Sequence, residues 1–181
     1  MKKQDKVGQR VLMFALEKEK IEFYINLFKQ AHIKLTKITV SLNSVIRVYE
    51  HVFCHKHPTM AIISIEKKEV NTFLFIEGKF RYFGKDSISD SKDSLTLRNE
   101  LINRVSQVIQ FQRGNFRDNP LKDIIFIGMD KQDFSVLKGT FENLFQVHVK
   151  SLNEYQLLDK RSQKNIEECG LVILGALKEW S

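Results

Sequence analysis

Residues 59–84 read TMAIISIEKKEVNTFLFIEGKFRYFG, and this stretch decides the fold. Met60–Ile65 and Asn71–Ile76 are two apolar runs that flank a charged tip, Glu66-Lys67-Lys68-Glu69. A second turn at Glu77-Gly78 leads into Lys79–Phe83. Alternating apolar residues bounded by turn formers predict a three-stranded β-meander. The tip is informative for what it lacks. A loop that holds nucleotide phosphates needs glycines, so that backbone N–H groups can approach the anion, and small hydroxyl or acidic side chains for a metal. The tip offers no glycine and no hydroxyl, and Glu66 and Glu69 would repel a phosphate.

Towards the N-terminus, residues 1–10 are polar and Val11–Leu16 is predicted to be a buried strand. A helix is expected over Lys18–Ala31, with Ile21, Tyr24, Ile25, Phe28 and Ala31 on one face. Lys34–Leu42 alternates like a strand, and a second helix over Ser44–Phe53 carries Val45, Val48, Tyr49 and Val52. Towards the C-terminus, the polar loop Lys85–Ser94 precedes a helix over Leu95–Gln112, with Ser94 as its expected cap. Gly114–Asn119 reads as a turn. Asp123–Ile127 is continuously apolar after its first residue, as a central strand would be. A helix over Phe134–Leu144, a strand at Val147–Val149 and a last helical segment ending near Gly170–Trp180 complete the order. The chain thus divides into a small first α/β lobe, residues 1–57, and a second lobe, 58–181, with the boundary at Cys54–Pro58 where polar residues and the first proline interrupt the pattern.

The length of 181 residues supports one domain or two small lobes. The 43% hydrophobic and 28% charged composition is that of a globular protein, and 2 Pro with 8 Gly argue against long disordered linkers. A net charge of +7 favours anionic partners without choosing among nucleic acid, membrane and acidic protein. Cys54 and Cys169 are too few for a disulfide framework, which points to a reducing compartment. No secretory signal is visible after Met1-Lys2-Lys3, and the apolar run Gly170–Leu177 is far shorter than the ~20 residues that span a bilayer. The abrupt start is what a piece of a longer protein would show.

The order of elements and several local patterns resemble the actin-like ATPase superfamily, in particular its PilM-type pilus assembly proteins and the L-type cytoplasmic components of type II secretion. Val11–Glu50 is similar to the family's strand, helix, "aGL", strand and helix, with His32 in place of the glycine. Residues 59–84 resemble the strand, phosphate loop, strand and "dG" turn, with Glu77-Gly78 at that turn. Leu97–Gln112 resembles the "Ei.rsl.yf" helix, with Glu100 at the acidic, ribose-contacting position. Ile124–Met129 is similar to the strand that ends in the "GG" adenosine loop, and Gly170–Leu177 to the closing "GLAlr" element. The resemblance implies an α/β fold of actin-like, ribonuclease H-like lobes with mixed sheets, truncated relative to full actin-like ATPases.

The departures bear on activity. Where the family's second phosphate loop reads "DiGaett", Ser64 stands for the metal-linked Asp and Glu66 for the glycine that lets the backbone approach phosphate. Gly128 of the adenosine loop is kept, but Met129 replaces the second glycine and would crowd a purine. The segment that supplies the first phosphate loop in the family has no counterpart in the sequence. The resemblance with these departures implies no ATP hydrolysis and no cofactor: a pseudo-ATPase scaffold, cytoplasmic, at the inner face of the bacterial inner membrane. Its implied partners are inner-membrane platform subunits, an assembly ATPase or a short N-terminal peptide of a membrane subunit, with homodimerisation among the expectations.

Other constellations weigh less. His51, Cys54, His55 and His57 have metal-ligand chemistry within a short span, but no second ligand pair accompanies them, and histidines suit the C-terminal end of a helix dipole. No GxSxG, Walker A or HExxH motif occurs. Phe73, Phe75, Phe80, Tyr82 and Phe83 interleave with Lys67, Lys68, Lys79 and Arg81, which keeps a basic nucleic-acid-binding α/β domain as the alternative. Alternation nevertheless directs Phe73 and Phe75 to a core, and the glycine between aromatics of RNA-binding motifs is missing.

Overall fold

The computed structural model describes residues 13, 15–66, 68–88 and 94–154. The expected strand over Val11–Leu16 falls largely outside them, and Cys169, the element at Gly170–Leu177 and the last helical segment fall wholly outside. The described chain divides into two compact units, residues 1–40 and 41–181.

In the first unit, α1 (Lys18–Gln30) forms at the predicted place but buries none of its residues. It ends at Ala31, and His32 takes φ 55°, the left-handed conformation for which the resemblance led us to expect glycine. Residues 34–40, within the span Lys34–Leu42 expected as a strand, form no strand. Alternation of Lys, Thr and Ile satisfies a two-residue period, but a strand exists only where a neighbour accepts its hydrogen bonds.

The second unit is built on one five-stranded sheet with the spatial order β3-β2-β1-β4-β5. Its strands are β1 (Met60–Glu66), β2 (Glu69–Ile76), β3 (Lys79–Ser87), β4 (Asp123–Ile127) and β5 (His148–Ser151). The meander is antiparallel, with Met60 opposite Phe75 and Glu66 opposite Glu69. β4 then runs parallel to β1, placing Ser64 beside Ile127, and β5 runs parallel to β4. The chain crosses between them through α3 (Ser94–Asn115) and α4 (Lys131–Phe145). Turn chemistry fixes the hairpins. Glu77 and Gly78 both have positive φ, 54° and 75°, as a two-residue type I′ turn demands.

Both faces of the sheet are covered, and this explains why β1 and β4 read as unbroken apolar runs. On one face Ala61, Ile63, Leu74, Ile124, Phe126 and Val149 meet Leu101 and Val105 of α3 and Leu137 and Phe141 of α4. On the other, Met60, Ile62, Phe73, Phe75, Ile125 and Ile127 meet Val45, Val48, Tyr49 and Phe53. Each of the larger aliphatic and phenylalanine side chains among them contributes roughly 1.5–3 kcal/mol on burial.

The covering segment of the second face starts at Ser41 rather than Ser44. It is an α-helix, α2 (Ser41–Val48), that widens into a π-helical turn over Tyr49–Phe53. The turn is closed by the amide of Cys54 donating to the carbonyl of Tyr49 at 2.9 Å. It seats the Tyr49 ring against Phe75, with centroids 3.7 Å apart, while the hydroxyl donates to the carbonyl of Pro58 at 2.9 Å. Residues 41–53, read from sequence with the first lobe, thus pack on the sheet of the second unit. α3 runs on to Asn115, past the expected turn at Gly114, and buried Gln112 donates to the carbonyls of Phe116 and Asn119 at 2.8 and 2.6 Å.

Candidate functional site

Four of the positions singled out from sequence, Ser64, Glu66, Gly128 and Met129, converge on one end of the sheet, where β1 turns into the hairpin tip and β4 ends in the loop before α4. The juxtaposition follows from pairing. β1 and β4 are parallel neighbours, so their carboxyl ends coincide and deliver Ser64, Glu66, Gly128 and Met129 to the same edge. Gly128, at φ 77°, lies so close to β1 that a Cβ built there would sit 2.1 Å from the carbonyl oxygen of Ile65. Only glycine allows this approach.

A shallow cleft lies on each face of that end. The first, about 220 Å³, is lined by Leu42 and Val45 of α2, by Phe73, Phe83 and Ile127, and by a polar rim that includes Ser64, Glu66, Glu69, Asn71 and Lys85. The second, about 200 Å³, lies between α3 and α4 and is lined by Ile65, Leu97, Arg98, Gly128, Met129, Asp130 and Asp133, among others. Ser64 and Glu66 therefore belong to one cleft, and Gly128 and Met129 to the other. Glu100, on α3, lines neither. Both volumes fall short of the roughly 300–1,000 Å³ that enclose a small-molecule ligand.

Charged groups of both signs crowd this end. Glu66 and Glu69 stand directly opposite each other across the hairpin, a like-charge pairing that costs a few tenths to about 1 kcal/mol. Lys85 answers Glu69 at 2.8 Å, whereas the only partner of Glu66 among the described residues is the neutral hydroxyl of Ser64 at 3.4 Å. Asp130 caps α4, accepting from the amides of Gln132 and Asp133 at 2.8 Å each. The Asp133 amide is the main reason that its carboxyl is held below the usual range, with Gln132 and Arg98 adding to the effect and partial burial opposing it. Arg98 grips Asp133 with Nε and Nη2 on one carboxylate oxygen, at 2.9 and 2.7 Å. The guanidinium in the second cleft is thus already committed to a carboxylate.

Sequence inspection missed Arg98, Asp133 and Lys85, and weighed Phe83 only as a nucleic-acid contact. An Asp four residues before a helical stripe is a legible cap signal, but nothing in the sequence announces that Arg98 will meet a residue 35 positions away.

The histidine-cysteine cluster does not assemble into one site. His57 Nδ1 pairs with Asp123 at 3.1 Å, Cys54 lies against Gly78, and no group of three or more His, Cys, Asp or Glu among the described residues is placed to hold a metal. The aromatics of the meander are spent mostly inward. Phe73 and Phe75 are buried, Phe80 and Tyr82 pack on opposite faces, and Phe83 alone of the five is 40% exposed. No helix among the described residues is long and apolar enough to cross a membrane.

Together, the mixed sheet, its strand order and the helices on both faces define the class: the chain has the actin-like ATPase fold, as expected. Over 88% of its length it is similar to 59% of a chain in the PilM–PilN type IV pilus biogenesis complex, with a TM-score of 0.61 and 10% identity. Over 83% of its length it is similar to 50% of a Bacteroides thetaiotaomicron protein of actin-like ATPase fold and unknown function, with a TM-score of 0.51 and 12% identity. The chain thus spans half to three-fifths of the length of these structures. No family description and no curated protein matches the sequence.

Proposed function

We propose that this chain is a non-enzymatic scaffold of an envelope-spanning machine of the type IV pilus or type II secretion class, held by protein contacts at the cytoplasmic face of the inner membrane. In this proposal residues 1–57 descend from a first actin-like lobe and 58–181 form the second. The observation that carries it is the hairpin tip. Where an actin-like ATPase needs an anion cradle, this chain sets Glu66 against Glu69 and follows Gly128 with Met129. Ser64, Glu66, Glu100, Gly128 and Met129 are then remnants of a nucleotide site. The fold shared with the PilM–PilN complex supports partners of that kind: a platform subunit of the inner membrane, its short cytoplasmic N-terminal peptide, or the assembly ATPase.

Thermal unfolding with and without Mg-ATP tests the proposal. A ligand at 100 times its Kd adds about 2.7 kcal/mol of stability, several degrees in Tm for a chain of this size. No shift is expected at millimolar Mg-ATP, together with a stable complex on co-purification with a platform subunit. A clear shift accompanied by hydrolysis above background refutes it.

A further inference from the structure

We infer that α1 is a membrane-surface element: it lies flat in the interface of an anionic bilayer, with its apolar arc in the lipid and its lysines at the headgroups. The inference goes beyond the scaffold proposal, which invokes protein contacts alone, and does not rest on it. Two independent features of the chain meet at this helix. The first is apolar exposure. Eight of the thirteen exposed large apolar side chains among the described residues fall between Met13 and Ile38. α1 buries none of its residues, and Phe23, Tyr24, Ile25 and Leu27 are 44–62% exposed. Clustered apolar exposure marks a contact surface for protein or membrane.

The helix arranges that surface on one side. At about 100° per residue, Ile21, Phe23, Tyr24, Ile25, Leu27 and Phe28 span an arc of about 200°, broken by Lys20 alone. Lys20 bends to Glu17 at 2.9 Å, which leaves only its methylene stem on the arc. Lys18, Glu19, Glu22, Asn26, Lys29 and Gln30 fill the opposite side, where Lys18 pairs with Glu22 at 3.4 Å. Phe23 and Tyr24 stand edge to face with centroids 5.4 Å apart, and the polar tip of Tyr24 suits the boundary between acyl chains and headgroups. With 13 residues, about 20 Å, the helix can lie along a bilayer but not cross it.

The second feature is charge, counted over the whole unit. With histidine neutral, residues 1–40 carry nine Lys and Arg against four Asp and Glu, a net of +5, whereas residues 41–181 carry 20 against 18. Most of the net charge of +7 therefore lies in the unit that holds the exposed helix. This sign selects the occupant. A second copy would bring another +5 to the contact, whereas anionic lipid brings the opposite charge. A bilayer also takes up so wide an apolar arc without a groove of matching shape. Apolar burial and attraction to anionic headgroups then add, as in other amphipathic helices that bind at the interface.

Co-sedimentation of the intact chain with lipid vesicles at about 0.1 M salt tests the inference. One set is phosphatidylcholine, and the other contains about 30% phosphatidylglycerol. We expect the chain to partition into the anionic vesicles at least tenfold more strongly. Phe23→Glu with Leu27→Glu, at positions that bury nothing, is expected to weaken that partition at least tenfold while leaving the circular dichroism spectrum unchanged. Lys34→Glu with Lys37→Glu is expected to weaken it severalfold. Leu144→Glu, an exposed apolar position on α4, is expected to leave it unaltered. Equal partition into the two vesicles, no partition into either, or partition indifferent to the Phe23 and Leu27 changes overturns the inference. A dimer in solution that those two changes dissociate, without vesicle binding, assigns the face to a second copy and overturns it as well. The Mg-ATP test decides the scaffold proposal separately.

Discussion

Replacing Gly128 by alanine tests the central geometric feature of the site, the contact between the loop after β4 and the backbone of β1. An alanine Cβ there would lie 2.1 Å from the Ile65 carbonyl oxygen. An unstrained carbon-to-oxygen contact is about 3.3 Å, so the loop must retreat from β1 by roughly 1.2 Å. The loop begins one residue after Ile127, which pairs with Ser64, so that retreat pulls apart the last rungs of the β1–β4 ladder. Losing one or two such hydrogen bonds costs about 0.5–1.5 kcal/mol each. A Cβ in the left-handed region, at φ 77°, adds about 1–2 kcal/mol. The expected loss is therefore roughly 1.5–5 kcal/mol.

Gly139 supplies the internal control. It lies in α4, is exposed, and an added Cβ would meet nothing within 4 Å. Gly139→Ala should stabilise the protein by about 0.5–1 kcal/mol through helix propensity. Urea unfolding followed by circular dichroism measures both variants against the parent at constant m-value. The same chemical change is thus expected to have opposite signs at two positions. A loss below about 1 kcal/mol at Gly128 would show that the close approach of β4 to β1 is not as described, and any loss at Gly139 would show that its site on α4 is not open.

Two further substitutions probe the groups whose acidity the fold shifts. Burial, followed by the nearby Cys54, pushes the Tyr49 hydroxyl well above its ordinary value of 10.0. A raised folded value makes its contribution complete below pH ~10 and lost as the pH climbs beyond. Stability should therefore fall more steeply above pH ~10 in the parent than in Tyr49→Phe, whose own cost at pH 7, from the hydrogen bond to Pro58, should be about 0.5–1.5 kcal/mol. Parallel pH profiles would refute this. Asp130→Ala removes the cap of α4 and should cost about 0.5–2 kcal/mol at pH 7. Because the carboxyl is held below its ordinary 3.8, its contribution is present above that pH and fades as the pH drops further. The parent and variant should therefore converge in acid, as urea midpoints at pH 7 and pH 2.5 would report.

The legible parts of this fold were those in which local pattern and tertiary pairing agree. Asp123–Ile127 is bounded by the structure at the residues where its apolar run starts and stops, because a strand buried on both faces has no polar alternation to blur its ends. The Glu77-Gly78 turn was readable because a two-residue hairpin accepts few residue pairs. Lys34–Leu42 misled because alternation is a necessary feature of a strand and the partner is the sufficient one. The apolar face of α1 was readable as a pattern, yet none of it is buried. Amphipathicity records what a helix can cover, not what covers it. At the sheet end, the division into two clefts was not legible, because it needed the direction of each side chain across β1 and β4.

The widened turn at Tyr49–Phe53 carries a consequence for how this chain can change over time. A π-turn holds one more residue than the α-helical path it interrupts. Deleting any one residue there would remove the widened turn and shorten the path from Tyr49 to Pro58 by one residue. His57 would leave Asp123, and the carbonyl of Pro58 would leave the Tyr49 hydroxyl. Homologues should therefore vary freely in the identity of surface residues such as Glu50 and His51 while keeping the spacing from Tyr49 to Pro58 constant, so that chain length, more than residue type, is what selection guards in this segment.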